Sequence, residues 1–132
     1  MPPRWAVYLW AAPTTLVGVA ASALAAERQV VSGVLEGHGP AIAAAFDRLA
    51  PGRRIAAMTL GHVVLGRSAA DLERTRRHER IHVRQCERWG PLFVPAYLIA
   101  SLAAWWRGGD VYADNAFERE AWRDAPLSPR RS

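Results

Sequence analysis

Residues 68–91 read SAADLERTRRHERIHVRQCERWGP. Ser68 stands three residues before Asp71, a capping-box-like start with Asp in place of the commoner Glu. No Gly or Pro follows until Gly90-Pro91, which stops the run. The stretch therefore predicts one long helix from about Ala69 to Trp89. Inside it lies His78-Glu79-Arg80-Ile81-His82, the pattern H-E-x-x-H. Four residues is just over one helical turn, so the two imidazoles share a face and can grip one metal ion. Glu79 sits one step round, within reach of a water on that ion. Gln85, three residues beyond His82, falls on the same side. Arg77, Arg80, Arg84 and Arg88 fall near the opposite side and read as a solvated face.

The chain has four His, and a chance H-E-x-x-H is expected in well under about 1% of such sequences. The motif also sits inside a capped helix, where its spacing has geometric meaning. A metal site is therefore the first expectation, with Zn2+ as the ion. Catalytic zinc takes three protein ligands and leaves one position open. Glu118, Glu120, His62 and His38 are the candidates for the third. An antiparallel return after an intervening apolar helix could bring Glu118 or Glu120 under the two histidines, and of the two Glu118 is preferred. A competing role exists for it: Asn115 as N-cap with Glu118 three residues on is a capping-box-like pair.

Outside the long helix, residues 29–35 (QVVSGVL) are β-branched and read as a strand. Residues 37–40 (GHGP) read as a turn. Residues 41–49 read as a short helix with Phe46 and Leu49 on its apolar side, stopped by residues 50–52 (APG). Residues 54–65 (RIAAMTLGHVVL) read as two strands, or one bent strand, with Gly61 at the break. Residues 91–106 (PLFVPAYLIASLAAWW) are apolar but interrupted by Pro95. From Ala96 onward they predict a core helix behind the metal helix, with Trp105-Trp106-Arg107 as a possible interfacial end. Residues 108–109 make a turn and residues 115–123 a last short helix. The expected fold class is α+β: a small sheet of two to three strands packed on the H-E-x-x-H helix and two further helices, preceded by an N-terminal hydrophobic helix.

H-E-x-x-H, an intervening helix, then Glu118-Arg119-Glu120-Ala121 as E-x-x-A resembles the gluzincin metallopeptidases. In size the chain is nearest the minigluzincins within that group. The run from His78 to Tyr97 also resembles small bacterial proteins with H-E-x-x-H-x-x-Q and an N-terminal hydrophobic segment. The resemblance covers roughly residues 59–123, is specific for the metal motif and weak elsewhere. It implies that Glu118 is the third ligand, that Glu79 is the general base, and that the substrate is a peptide or protein. It also implies an edge strand above the metal that pairs with extended substrate, for which residues 61–65 (GHVVL) are placed in sequence. Many gluzincins carry an Asp one residue after the Ala of E-x-x-A, holding a ligand histidine. Trp122 stands there, which leaves that support to Asp124 or Asn115. His62 or Tyr112 would stabilise the oxyanion.

The 132 residues allow one domain. Residues 5–26 contain no charge and at about 1.5 Å per residue are long enough to span a bilayer. Pro13 and Thr14-Thr15 are tolerated in membrane helices, and Trp5, Tyr8 and Trp10 crowd one end as interfacial aromatics do. The segment ends in residues 23–26 (ALAA), a small-x-small pattern suited to signal-peptidase cleavage. A retained membrane helix, a cleaved export signal and a buried core helix are the three readings. Organisation follows as residues 1–26 hydrophobic segment, 27–125 metallopeptidase-like domain and 126–132 disordered basic tail. All 17 basic residues are Arg, and the net charge is +5. That charge suits anionic lipid; without an Arg block interleaved with aromatics, nucleic acid is an unlikely partner. A single cysteine, Cys86, excludes an internal disulfide. The alternatives to a peptidase are a catalytically inactive metal-binding module and a small membrane-associated interaction protein.

Overall fold

In the computed structural model, which describes residues 3–125, the first element is the apolar helix α1 (Arg4–Ala21), which continues through Pro13. A 3₁₀ turn leads into β1 (Glu27–Val31) and β2 (Val34–His38), then α2 (Pro40–Leu49), β3 (Ala57–Leu60) and β4 (Val63–Gly66). The long helix is α3 (Ala69–Trp89), with a 3₁₀ turn Gly90–Leu92 joining it to α4 (Phe93–Trp106), and α5 (Ala116–Asp124) follows. The class is α+β, as expected. Residues 126–132, where the basic tail was expected, lie outside the described residues.

The sheet is mixed and has four strands in the order β1-β2-β4-β3. β1 and β2 are antiparallel, β2 and β4 parallel, β3 and β4 antiparallel. The extra strand arises because residues 29–35 do not form one strand. They cross a hairpin whose two turn residues, Ser32 at φ 50° and Gly33 at φ 79°, both take positive φ, as a tight I′-type turn demands. Gly37 and His38 belong to β2 and not to a turn. Residues 54–65 divide at Gly61-His62 into the β3–β4 hairpin. Every residue of β4 is buried, which suits an interior strand with a parallel neighbour.

Alternation along β4 divides the core between two layers. Val64 joins Val34, Leu72 and Val83 between the sheet and α3. Val63 and Leu65 join Ile42 and Phe46 under α2 on the other face. The site-bearing helix is locked to the sheet by charge as well. The buried carboxylate of Glu36 on β2 accepts from Arg76 Nε at 3.0 Å and Arg80 Nη2 at 2.9 Å. Arg80 also reaches the Val31 carbonyl at 3.0 Å. It is thus a structural ion-pair partner and not part of a solvated face, whereas Arg77, Arg84 and Arg88 are exposed. At the start of α3, Ser68 Oγ accepts from Asp71 N at 3.1 Å, so the expected cap is made.

α1 lies against this domain along a narrow stripe that includes Ala11, Thr14 and Gly18. Specific bonds hold it. Thr15 Oγ1 accepts from His62 N at 3.0 Å, Tyr8 OH donates to the Gly33 carbonyl at 3.1 Å, and Trp10 Nε1 donates to the Arg88 carbonyl at 3.3 Å. The indole of Trp10 occupies the space where a Cβ on Gly90 would stand, and Gly90 has φ 58°. Much of the remainder of α1, including Trp5, Leu9 and Leu16, is exposed. The stretch Arg4–Leu24 is apolar and long enough to cross a membrane.

α4 begins at Phe93, three residues before the expected start at Ala96. Pro95 therefore falls in the first turn, where no backbone donor is needed. The expectation of a core helix is not met: of α4 only Phe93 and Ala104 are buried. Its inner side faces α5 and the site, and its outer side is apolar and open.

Candidate metal centre

α3 turns His78, Glu79 and His82 inward, all three buried, with one potential ligand atom from each lying within 4.8 Å of the others. α5 brings Glu118 to the same point. His78 Nε2 lies 3.3 Å from Glu118 Oε2, and His82 Nε2 lies 3.1 Å from Glu118 Oε1. Tyr97 OH on α4 donates to Oε1 at 2.7 Å. The cap-or-site competition for Glu118 is resolved by Asn115 alone. Its Oδ1 accepts from Phe117 N at 2.9 Å, while its Nδ2 donates to the Tyr97 carbonyl at 3.0 Å and Ser101 Oγ at 2.7 Å. Asn115 thus caps α5, pins it to α4, and leaves the Glu118 carboxylate free to meet the histidines.

Burial opposes charge at Glu118, but the two imidazoles and the Tyr97 hydroxyl override it and hold its pKa down at about 2. Burial likewise opposes charge on His82, yet Glu118 and Glu79 raise its pKa to about 9. Glu79 differs. Burial dominates there and pushes its pKa up, against the pull of His82 and of the hydrogen bond from Thr59. Thr59 Oγ1 on β3 donates to Glu79 Oε2 at 2.6 Å. A buried carboxyl with its pKa raised, beside two imidazoles, is placed to take and return a proton.

Gln85 is part of the site. Its Oε1 accepts from His82 Nδ1 at 2.8 Å, so Nε2, which faces Glu118, is the ring nitrogen left for a metal to take in place of a proton. Its amide nitrogen donates to the Phe117 carbonyl at 3.0 Å and to Glu120 at 2.9 Å. Glu120, a candidate ligand by sequence, is therefore engaged by Gln85 and by Arg88 and does not reach the histidines. His62 is buried elsewhere, stacked on Tyr8, with Nε2 3.0 Å from Glu87. It can serve neither as ligand nor as oxyanion donor. His38, at the end of β2, pairs with Glu27 of β1 at 3.3 Å. Neither candidate support for His78 reaches it: Asp124 pairs with Arg123, and Asn115 is spent on the cap. Trp122 packs instead against the His78 ring, centroids 4.8 Å apart, and His78 Nδ1 is left buried without a hydrogen-bond partner.

A cleft of about 520 Å³ opens over these groups, lined among others by Ile55, Ala57, His78, Glu79, Tyr97 and Tyr112. Tyr112 is thus the one expected oxyanion donor that borders the cleft; Tyr97 and Thr59 were not singled out by the sequence. The strand beside the cleft is β3, which forms the edge of the sheet. Residues 61–65, expected to be that edge, supply a turn and the interior strand β4, paired on both sides.

The chain matches no known family model, no curated protein and no solved structure.

Proposed function

We propose that the protein is a zinc-dependent hydrolase of peptide bonds, with His78, His82 and Glu118 as metal ligands and Glu79 as general base. One observation carries this reading: a single buried carboxylate, from a different helix, touches Nε2 of both histidines. Two ligands bonded at 2.0–2.1 Å to a tetrahedral ion lie roughly 3.3 Å apart. The observed 3.1 and 3.3 Å fit that separation, and two imidazoles with one carboxylate are a donor set that catalytic zinc takes. The likeness of His78–His82 and Glu118–Ala121 to the gluzincin motifs supports the same assignment.

Zinc held there supplies Lewis acidity, making a water acidic near neutral pH and polarising a carbonyl. The remaining work falls to the chain. Glu79, oriented by Thr59, accepts a proton from the attacking water and returns it to the leaving amine. Gln85 fixes the tautomer and direction of His82, and Tyr97 fixes Glu118. Tyr112, on the cleft wall, donates to the developing oxyanion. The free edge of β3 offers backbone groups to an extended peptide, giving affinity with little side-chain selectivity.

A second reading, metal binding without hydrolysis, is favoured by one feature: His78 Nδ1 lacks the hydrogen-bond acceptor that usually steadies a ligand histidine. The two separate in one experiment. Purified protein should hold one zinc per chain by elemental analysis and cleave a generic peptide library. Glu79→Gln should keep the zinc and lose cleavage, and Glu118→Ala should lose both. Zinc without cleavage in the unaltered protein selects the second reading; no stoichiometric zinc excludes both.

A further inference from the structure

α4 has two sides with different chemistry. Its inner side lines the cleft through Tyr97 and Ser101. Its outer side carries Leu98, Ile99, Leu102, Trp105 and Trp106, each between 60% and 81% exposed. These positions follow i, i+1, i+4, i+7, i+8, so they form a single helical stripe. The stripe exposes about 700 Å² of apolar surface, more than a soluble monomer ordinarily leaves open. It also continues. Leu92 in the preceding 3₁₀ turn is exposed as well, and Trp10 of α1 packs on Gly90 of that turn, which brings the open apolar face of α1 alongside.

Charge identifies the occupant. Arg107 follows the tryptophan pair directly, and Arg84 is exposed near the end of α3 from which α4 departs, with Arg88, paired to Glu120, one turn on. A second copy of a chain with net charge +5 would set these arginines against their equals. An anionic headgroup layer complements them, and Trp-Trp-Arg at a helix end is how an interfacial helix meets it. Although the helical run Ala69–Trp106 is long and apolar enough in part to cross a membrane, the 14 residues of α4 reach only about 21 Å, short of the roughly 30 Å hydrocarbon core. The helix suits lying in the surface.

We propose that the outer face of α4 seats in an anionic bilayer surface, and that the cleft on its inner face therefore serves peptide segments lying at the membrane. A helix is about 10–12 Å across, so the cleft stands one helix away from the lipid. The substrate part of this inference rests on the hydrolase reading; the lipid contact does not.

The test uses the full chain in phosphatidylcholine vesicles containing about a quarter phosphatidylglycerol. An environment-sensitive fluorophore is placed at Leu98→Cys or Leu102→Cys, with Arg48→Cys on α2 as the water-facing control; Cys86 is buried and stays unlabelled. Expected are blue-shifted emission and quenching by acyl-chain nitroxides at 98 and 102, at about 5–10 Å depth, and neither at 48. Water-like emission at 98 and 102 overturns the lipid contact. Shielding at 102 that persists in detergent, with energy transfer between labelled chains, overturns it in favour of a second copy. Cleavage of a peptide should rise when it is lipid-tethered to the same vesicles; equal cleavage of free and tethered peptide overturns the substrate assignment. A lipid contact with no cleavage of either leaves the surface standing and removes the hydrolase reading.

Discussion

Replacing Gln85 by Leu probes the proposed metal centre without touching a proposed ligand. Gln85 is 1% exposed, so water cannot take over its bonds. The substitution strips an acceptor from His82 Nδ1, held at 2.8 Å, and a donor from the Phe117 carbonyl, held at 3.0 Å. Glu120 loses a bond too, but keeps Arg88 at 3.3 Å. Leu is as good a helix former and of similar bulk, so backbone and packing terms change little. His82 Nδ1, buried and left unpaired, costs about 1–3 kcal/mol, partly offset by the added apolar burial, whereas the Phe117 carbonyl keeps its helical donor inside α5. A net loss of about 1–2 kcal/mol in the metal-free protein follows. Zinc affinity should fall about 10–100-fold, the usual effect of removing the partner that orients a ligand histidine. Gln85→Glu keeps an acceptor for His82 and should bind zinc more tightly than Gln85→Leu, although it sets a second carboxylate against Glu120 and the Phe117 carbonyl and lowers stability. Affinity is measured by competition with a chromophoric chelator, and stability by urea titration of the metal-free form. Unchanged zinc affinity in Gln85→Leu, with a lowered unfolding midpoint, would refute the argument and reduce Gln85 to a packing residue.

Asn115→Ala should cost about 1–3 kcal/mol in urea unfolding, since it removes the α5 cap and the two bonds that tie α5 to Tyr97 and Ser101 of α4. It should also weaken zinc binding by releasing Glu118. Gly90→Ala should destabilise by more than Gly108→Ala. Both have positive φ, but a Cβ at 90 would stand 2.2 Å from the Trp10 ring, whereas nothing lies within 4 Å at 108; the change in Trp emission on displacement of Trp10 separates the two. Stability in acid should fall through the Asp71 carboxylate. Burial raises its pKa, but Arg54, Arg74 and Ser68 together bring it from 3.8 down to about 2. A depressed carboxyl stabilises the fold above its unfolded pKa and ceases to do so as pH drops through the folded one. About 1–2 kcal/mol should therefore be lost between pH 4 and pH 2, after discounting for the half-exposed Arg54, and Asp71→Asn should abolish that part of the dependence.

The parts of this molecule governed by local rules were legible in the sequence. α3 begins at its Ser68 cap and ends at Gly90 because both signals act within a turn of the chain, and the H-E-x-x-H geometry follows from helical periodicity alone. Glu118 was nameable because its spacing from Ala121 has a known counterpart, although its escape from the cap depended on Asn115 finding partners on α4. Other features were set by pairing at a distance. The hairpin at Ser32-Gly33 lacked the Asn-Gly signal that marks such turns, so one strand was read where two exist. Which strand lies at the sheet edge depends on the parallel register of β2 with β4, and no property of residues 57–66 encodes it. Arg80 looked solvated because its partner, Glu36, is 44 residues away. Gln85 and Tyr97 carried no signal beyond position, since an amide or a phenol on a buried helix face reads the same whether it packs or directs a neighbour.

Glu118 and His78 are 40 residues apart in the chain, and their meeting closes a loop that holds the whole of α4, beside the bonds that Gln85 and Asn115 make to the same helices. An ion shared by α3 and α5 would act there as a removable cross-link. By the loop-closure relation for covalent bridges, tying off 40 residues withdraws about 4 kcal/mol of freedom from the unfolded chain. The C-terminal third of the protein would then open to proteases when metal is scarce and close when it is plentiful, coupling the lifetime of the chain to the supply of its ion.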